Sequence, residues 1–168
     1  MKRIGFSTGA IARGDFQSAL ARLRLFHISV VELSALRVEE LDPLVASLPG
    51  LDLTGFEFVS FHAPSRFSVA QEGHVLNRLL TVVDHGIPVV VHPDVISTPE
   101  AWEVLGSMLL IENMDKRKTV GRNALDLECL FSRFPEAGLC FDQGQSDILT
   151  EIDRARRALD ATWLRAVG

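Results

Sequence analysis

Four apolar runs along the chain, residues 58–62, 89–92, 108–112 and 139–142, each close on a side chain able to bind a metal: His62, His92, Glu112 and Asp142. A parallel strand covered on both faces reads as a near-continuous run of Val, Ile, Leu and Phe, so each run predicts a buried strand with a polar residue at its carboxyl end. Elsewhere the pattern changes to the helical period. Residues 4–7 are predicted as a first strand opening into Thr8-Gly9, and Asp15 as the cap of a helix carrying Phe16, Leu20, Leu23 and Leu25. Residues 28–33 form the second strand. Val38, Leu41, Leu44 and Leu48 then mark a helix that stops at Pro49-Gly50, with Pro43 near its start, where a first turn tolerates proline.

The alternation continues to the end. After the third strand at 58–61, residues 74–84 predict a helix with Val75, Leu79, Val82 and Val83 inward, followed by a fourth strand at 88–91. Thr98 is the N-cap and Pro99 the first residue of a helix through Trp102 and Leu105. A fifth strand at 108–111 leads to a helix capped by Asn123 and carrying Leu125, Leu127, Leu130 and Phe131; a sixth strand at 138–141 and a last helix at 148–164 follow. Six strands in one sense, each followed by a helix, imply a single α/β domain over residues 1–168 with a parallel sheet, because each return requires a crossover. An open doubly wound sheet and part of a (β/α) barrel both satisfy this pattern. Both place ligand-binding residues at the carboxyl ends of the strands.

Composition narrows the classes. With 47% hydrophobic and 23% charged residues the chain can bury a substantial core, and no apolar stretch approaches the roughly 20 residues of a membrane helix, so a cytoplasmic protein with no membrane contact is expected. The net charge of −5 argues against a nucleic-acid partner; the densest positive cluster, Arg117, Lys118 and Arg122, reads as a solvated loop. Cys129 and Cys140 have no metal or redox spacing and are expected in the core. Gly5, Gly9 and Gly14 form no phosphate-binding loop, so no nucleotide cofactor is indicated.

The polar strand ends carry the chemistry. A mixed imidazole and carboxylate set suits Zn²⁺, Mn²⁺, Fe²⁺ or Co²⁺ better than Mg²⁺ alone. A cation there could polarise a carbonyl and its neighbouring hydroxyl while Glu112 takes part in proton transfer, the chemistry of an isomerase or epimerase; the same cluster could instead activate water against a phosphodiester. Each residue also has a plainer role: a hydrogen-bonded rim histidine for His62 and His92, a turn cap for Asp142. Glu32 is a candidate for a substrate hydroxyl or for an ion pair with an arginine. Asn113 could orient Glu112, contact substrate or cap the following loop. Gln145 could donate to a ligand oxygen, and Arg66 meet a phosphate; solvation is the plain alternative for both. Phe67 is the aromatic expected near substrate, while Trp102, Trp163, His27, His74 and His85 are expected to be structural.

Ser60-Phe61-His62-Ala63-Pro64, Val91-His92-Pro93-Asp94, Leu110-Ile111-Glu112-Asn113-Met114 and Cys140-Phe141-Asp142-Gln143-Gly144, in that order, resemble strands three to six of the xylose isomerase-like TIM barrels. That superfamily includes sugar and sugar-phosphate isomerases and epimerases and the endonuclease IV type of abasic-site nucleases. Ile4-Gly5-Phe6-Ser7 and Val31-Glu32-Leu33 fit the same pattern, so the similarity covers nearly the whole chain. The resemblance implies Glu112 and Asp142 as ligands of a divalent metal, Zn²⁺ or Mn²⁺, with His62 and His92 binding further metal or lining the substrate pocket. Two departures stand out. Gln145 replaces a metal-binding histidine of the nuclease branch, and the six units fall short of the eight that close a barrel. The expectation is therefore an incomplete TIM-barrel-like α/β domain, possessing open sheet edges that a homo-oligomer would cover. Its expected activity is metal-dependent isomerisation or epimerisation of a sugar or sugar phosphate. The alternatives are an endonuclease IV-like phosphodiesterase acting on abasic DNA, disfavoured by charge and by Gln145, and a truncated barrel that associates with a partner and catalyses nothing.

Overall fold

Among the described residues short apolar runs settle into six strands: β1 (Gly5–Ser7), β2 (Val30–Ser34), β3 (Phe58–His62), β4 (Val89–Val91), β5 (Leu109–Glu112) and β6 (Gly138–Cys140). The computed structural model describes residues 5–115 and 117–142, so Gln145, Trp163 and the helix expected over 148–164 lie outside the described residues. The strands form one sheet in the order β1-β2-β3-β4-β5-β6, and every neighbouring pair is parallel. A doubly wound sheet turns back at a switch point in its strand order, and this order has none. The architecture is an α/β one, compatible with part of a barrel.

The helices are α1 (Thr8–Ile11), α2 (Phe16–Leu25), α3 (Val38–Ser47), α4 (Val69–Asp84), α5 (Pro99–Trp102) and α6 (Ala124–Arg133). Two of the expected caps form. The Asp15 carboxylate accepts from Ser18 N at 3.0 Å, and the Asn123 side chain accepts from Asp126 N at 2.9 Å. Among the described residues, no helix is long and apolar enough to cross a membrane.

Strand alternation divides the sheet's residues between two faces. Val31, Leu33, Phe61, Val89, Val91, Leu109 and Ile111 lie on one, buried in the same core as Leu20, Leu41, Leu44, Val75, Leu79 and Trp102 of the helices. The register sets Ser7 beside Glu32 and Ser60, Ser34 beside His62 and Val90, and Glu112 beside Cys140, all on the opposite face. Polar side chains thus gather on that face at the carboxyl ends of the strands.

Several local expectations change. α4 starts at Val69 rather than His74, because Gln71 Oε1 accepts from both Ser68 N and Ser68 Oγ at 3.0 Å, starting a turn whose first residue, Val69, is exposed and outside the apolar period. The helix expected through Trp102 and Leu105 is one α turn followed by a 3-10 stretch, Glu103–Met108, broken where Gly106 adopts φ +50°. Pro43 sits in the second turn of α3 rather than the first, and the helix continues past it without the hydrogen bond its nitrogen would donate. Leu25 and Leu125 face solvent at 77% and 72% exposure. Leu125 is two residues, about 200° of helical rotation, from the inward Leu127. The same geometry exposes Cys129 on α6, and Cys140 is only half-buried, so neither is the core cysteine the sequence suggested. Phe67, expected near substrate, stacks on Trp102 with centroids 6.4 Å apart.

Candidate metal centre

β3, β4 and β5 are neighbours, and their ends bring His62, His92 and Glu112 together although 30 and 20 residues separate them in sequence. His62 Nε2 lies 3.0 Å and His92 Nε2 3.2 Å from the same oxygen, Glu112 Oε2. The two rings meet edge to face, with centroids 5.0 Å apart and planes at 83°. The ligand atoms of all three residues lie within 4.8 Å of one another, and His62 and Glu112 are each only 8% exposed.

The donor set fits a small divalent cation on two counts. Ligand atoms about 2.0–2.2 Å from one ion, at angles between square and tetrahedral, are separated by about 3 to 3.4 Å, and both histidine-to-Glu112 distances fall in that range. The second count is the proton inventory. His62 Nδ1 donates to the carbonyl of Ala63 at 2.7 Å, which in the neutral ring leaves a lone pair on Nε2 facing the carboxylate. A proton or a cation must lie between them to bridge the two acceptors.

Without a cation the electrostatics settle on the proton. Burial opposes charge on His62, but the Glu112 hydrogen bond and the charges of Glu32 and Glu112 outweigh it and raise the imidazole's pKa. Burial alone would push Glu112 up; the hydrogen bonds from His62 and His92, together with their charges, bring it down to about 2. The second carboxylate goes the other way. Burial raises Glu32, and the Glu112 charge adds to that shift, against the lowering effects of His62 and the Ser7 and Ser34 hydroxyls.

Glu32 is held by β1 and β2 together. Ser34 Oγ donates to Glu32 Oε1 at 3.3 Å and shares a 2.6 Å hydrogen bond with Ser7 Oγ, while Thr8 Oγ1 accepts from Ser34 N at 2.9 Å. Among the described residues no arginine pairs with Glu32. Cys140, beside Glu112 in register, has its thiol pushed up to about 12, first by burial and then by the Glu112, Glu32 and Asp142 charges. It is therefore a protonated wall of the site.

Asp142 and Asn113 form a separate arrangement. Asn113 is fully buried; its Oδ1 accepts from Asp142 N at 2.8 Å and its Nδ2 donates to Asp142 O at 3.1 Å. One side chain thus extends the pairing of β5 and β6 beyond Cys140, so Asn113 frames the site rather than presenting a group to substrate. The Asp142 side chain is not one of the mutually close ligands, which are His62, His92 and Glu112. Arg66 is exposed on the loop after β3. His74 pairs with Asp42 at 3.4 Å, and His85 Nδ1 donates to the Thr81 carbonyl at 2.8 Å, both away from the strand ends.

Sequence reasoning missed Glu72. On α4, only 4% exposed, it accepts from Ser97 N at 2.6 Å, Thr98 N and Thr98 Oγ1 at 3.0 Å, and Trp102 Nε1 at 2.9 Å. It clamps the segment that follows His92, and it occupies the Thr98 hydroxyl that would otherwise cap α5. The signal was present: Glu72 stands three, four and seven residues before Val75, Leu76 and Leu79, on the stripe that faces the core. Gly121 supports the same segment from the other side. Its φ is +78°, and a Cβ there would meet Pro93 Cγ at 2.8 Å.

Compared with protein-family models, curated proteins and solved structures, the chain matches none.

Proposed function

We propose that the chain is a divalent-metal-dependent isomerase or epimerase of a sugar or sugar phosphate, built on an incomplete (β/α) barrel of the xylose isomerase-like kind. The observation that supports this most is the meeting of two imidazoles and a carboxylate at the ends of three adjacent parallel strands, at the spacing of ligands around one ion. His62, His92 and Glu112 would hold Zn²⁺ or Mn²⁺. The bound ion supplies Lewis acidity toward a carbonyl and its neighbouring hydroxyl, which makes the adjacent C–H more acidic.

The residues divide the remaining work. Glu112 holds its proton too weakly to serve as the acid, and both imidazoles already engage its Oε2, so its role is to anchor the cation. Glu32 suits proton transfer better. Glu32 is half-buried beside the centre, its pKa is raised, chiefly by desolvation, and the Ser34 hydroxyl, itself bonded to Ser7, holds it in place. Two carboxylates driven apart in pKa by their surroundings are the arrangement in which one stays ionised and the other exchanges a proton. The strictly sequential strand order and the gathering of polar groups at the strand ends accord with the barrel reading.

The test loads purified protein with Zn²⁺ or Mn²⁺, measures bound metal by mass spectrometry, and follows sugars and sugar phosphates in D₂O by proton NMR. One tightly held ion and exchange of a carbon-bound proton beside a carbonyl are expected, the exchange being lost in Glu32→Gln and the ion in His62→Ala. Protein that retains no ion under these conditions overturns the reading.

A further inference from the structure

The arginines of the described residues are not equally occupied. Arg24, Arg78, Arg117, Arg122 and Arg133 each pair with a carboxylate. Arg13, Arg22, Arg37 and Arg66 have no such partner, and of these Arg37 and Arg66 line one cavity of about 440 Å³. The cavity lies on the rim that carries the metal ligands. Arg37 comes three residues after Ser34 at the end of β2, and Ser65, also in its wall, three residues after His62, so their backbones stand at most about 11 Å beyond those strand ends.

The surroundings favour an anion. Arg37 is the N-cap of α3 and gives its first turn no side-chain cap, which leaves the positive end of a ten-residue helix at the cavity wall. Ser65 and Gln71 add polar side chains. Glu39 also lines the cavity and offsets one positive charge, and Glu40 is taken up by the Leu36 N–H at 2.9 Å. The net charge of the walls is positive in a protein whose overall charge is −5. Two guanidinium groups without carboxylate partners, beside polar walls, suit a phosphate, which arginine binds through paired N–H donors.

We propose that Arg37 and Arg66 form an anion subsite that receives the phosphate of the substrate, making the substrate of the centre a sugar phosphate rather than a free sugar. This rests on the isomerase reading for its substrate, but the anion subsite itself can be tested without metal. Inorganic phosphate is titrated into the protein in the presence of a chelator, with binding followed by calorimetry or by phosphorus NMR. Saturable binding is expected, weakened by about tenfold or more in the double variant R37A/R66A and unchanged in Arg22→Ala on α2. Both arginines are exposed, so the double variant should keep the wild-type fold, checked by its circular dichroism and melting temperature. The proposal is overturned if wild-type protein shows no saturable phosphate binding, or if the double variant binds phosphate as well as wild type does. Metal content measured on the same preparations separates the two ideas: an ion that binds equally in wild type and double variant, with no phosphate binding, removes the subsite and leaves the metal centre standing.

Discussion

Replacing Glu72 by alanine tests whether the segment after β4 is held by one buried carboxylate. The side chain accepts four hydrogen bonds, two of them from backbone amides, and its Trp102 partner is fully buried. Truncation leaves the buried indole N–H without an acceptor, at about 1–3 kcal/mol, and forfeits the three part-buried bonds from Ser97 and Thr98, at about 0.5–1.5 kcal/mol each. Water entering the vacated volume recovers part of this, so a loss of about 3–5 kcal/mol follows at pH 7. For a chain of 168 residues that is a fall in melting temperature of roughly 10 °C. The pH dependence has a definite sign. Burial works against the Glu72 charge, but the Thr98, Trp102 and Ser97 donors outweigh it and lower the pKa below 4.5. Its contribution is therefore complete above pH 4.5 and declines as the pH falls through the folded value, so the gap between wild type and Glu72→Ala should narrow from pH 7 to pH 3.5. Urea unfolding at both pH values, with unchanged m, measures this. A deficit below 1 kcal/mol at pH 7, or a gap that widens on acidification, would refute the reasoning. Because the clamped segment follows His92, Zn²⁺ affinity should also weaken by about tenfold, as it does when other supporting residues of metal ligands are lost.

Three more outcomes follow from the geometry. Glu112, held at about 2, contributes on the order of 3 kcal/mol above pH 4.5, lost as the pH falls toward 2; Glu112→Gln should flatten the acid limb of the stability curve and abolish metal binding, both read by denaturant titration with and without Zn²⁺. Asn113→Ala should cost about 2–3 kcal/mol and speed hydrogen exchange at the Asp142 amide by at least about tenfold, visible in amide-exchange NMR. At pH 8 iodoacetamide should alkylate Cys129 in the native protein and Cys140 only after unfolding, because the second thiol is kept protonated; peptide mass spectrometry distinguishes the two.

The strand ends were legible because burial on both faces writes an uninterrupted apolar run, and the break in that run marks where the sheet gives way to polar residues. That is why His62, His92 and Glu112 could be named from sequence, and why Asp15 and Asn123 could be named as caps. Position along the chain does not determine which ends converge. Asp142 ends its run in the same manner as Glu112, yet a tertiary detail, the doubly bonded Asn113 side chain, fixes its backbone beside β5. Glu72 was hidden for the opposite reason: a charge on an apolar helical stripe reads as an interruption until its four donors, all from beyond β4, are seen. Leu125 and Cys129 were misplaced because a short amphipathic segment permits more than one inward face, and the neighbour it packs against chooses between them.

The three ligands stand at the ends of β3, β4 and β5, His92 one residue past β4, with β2 on one side of them and β6 on the other. An ion bound there would tie together three successive strand-and-helix units at their tips, a cross-brace opposing any separation of β3 from β5. Changes at β1 would reach such a brace through β2, by way of the Ser7 and Thr8 contacts with Ser34, rather than by acting on the ligands directly.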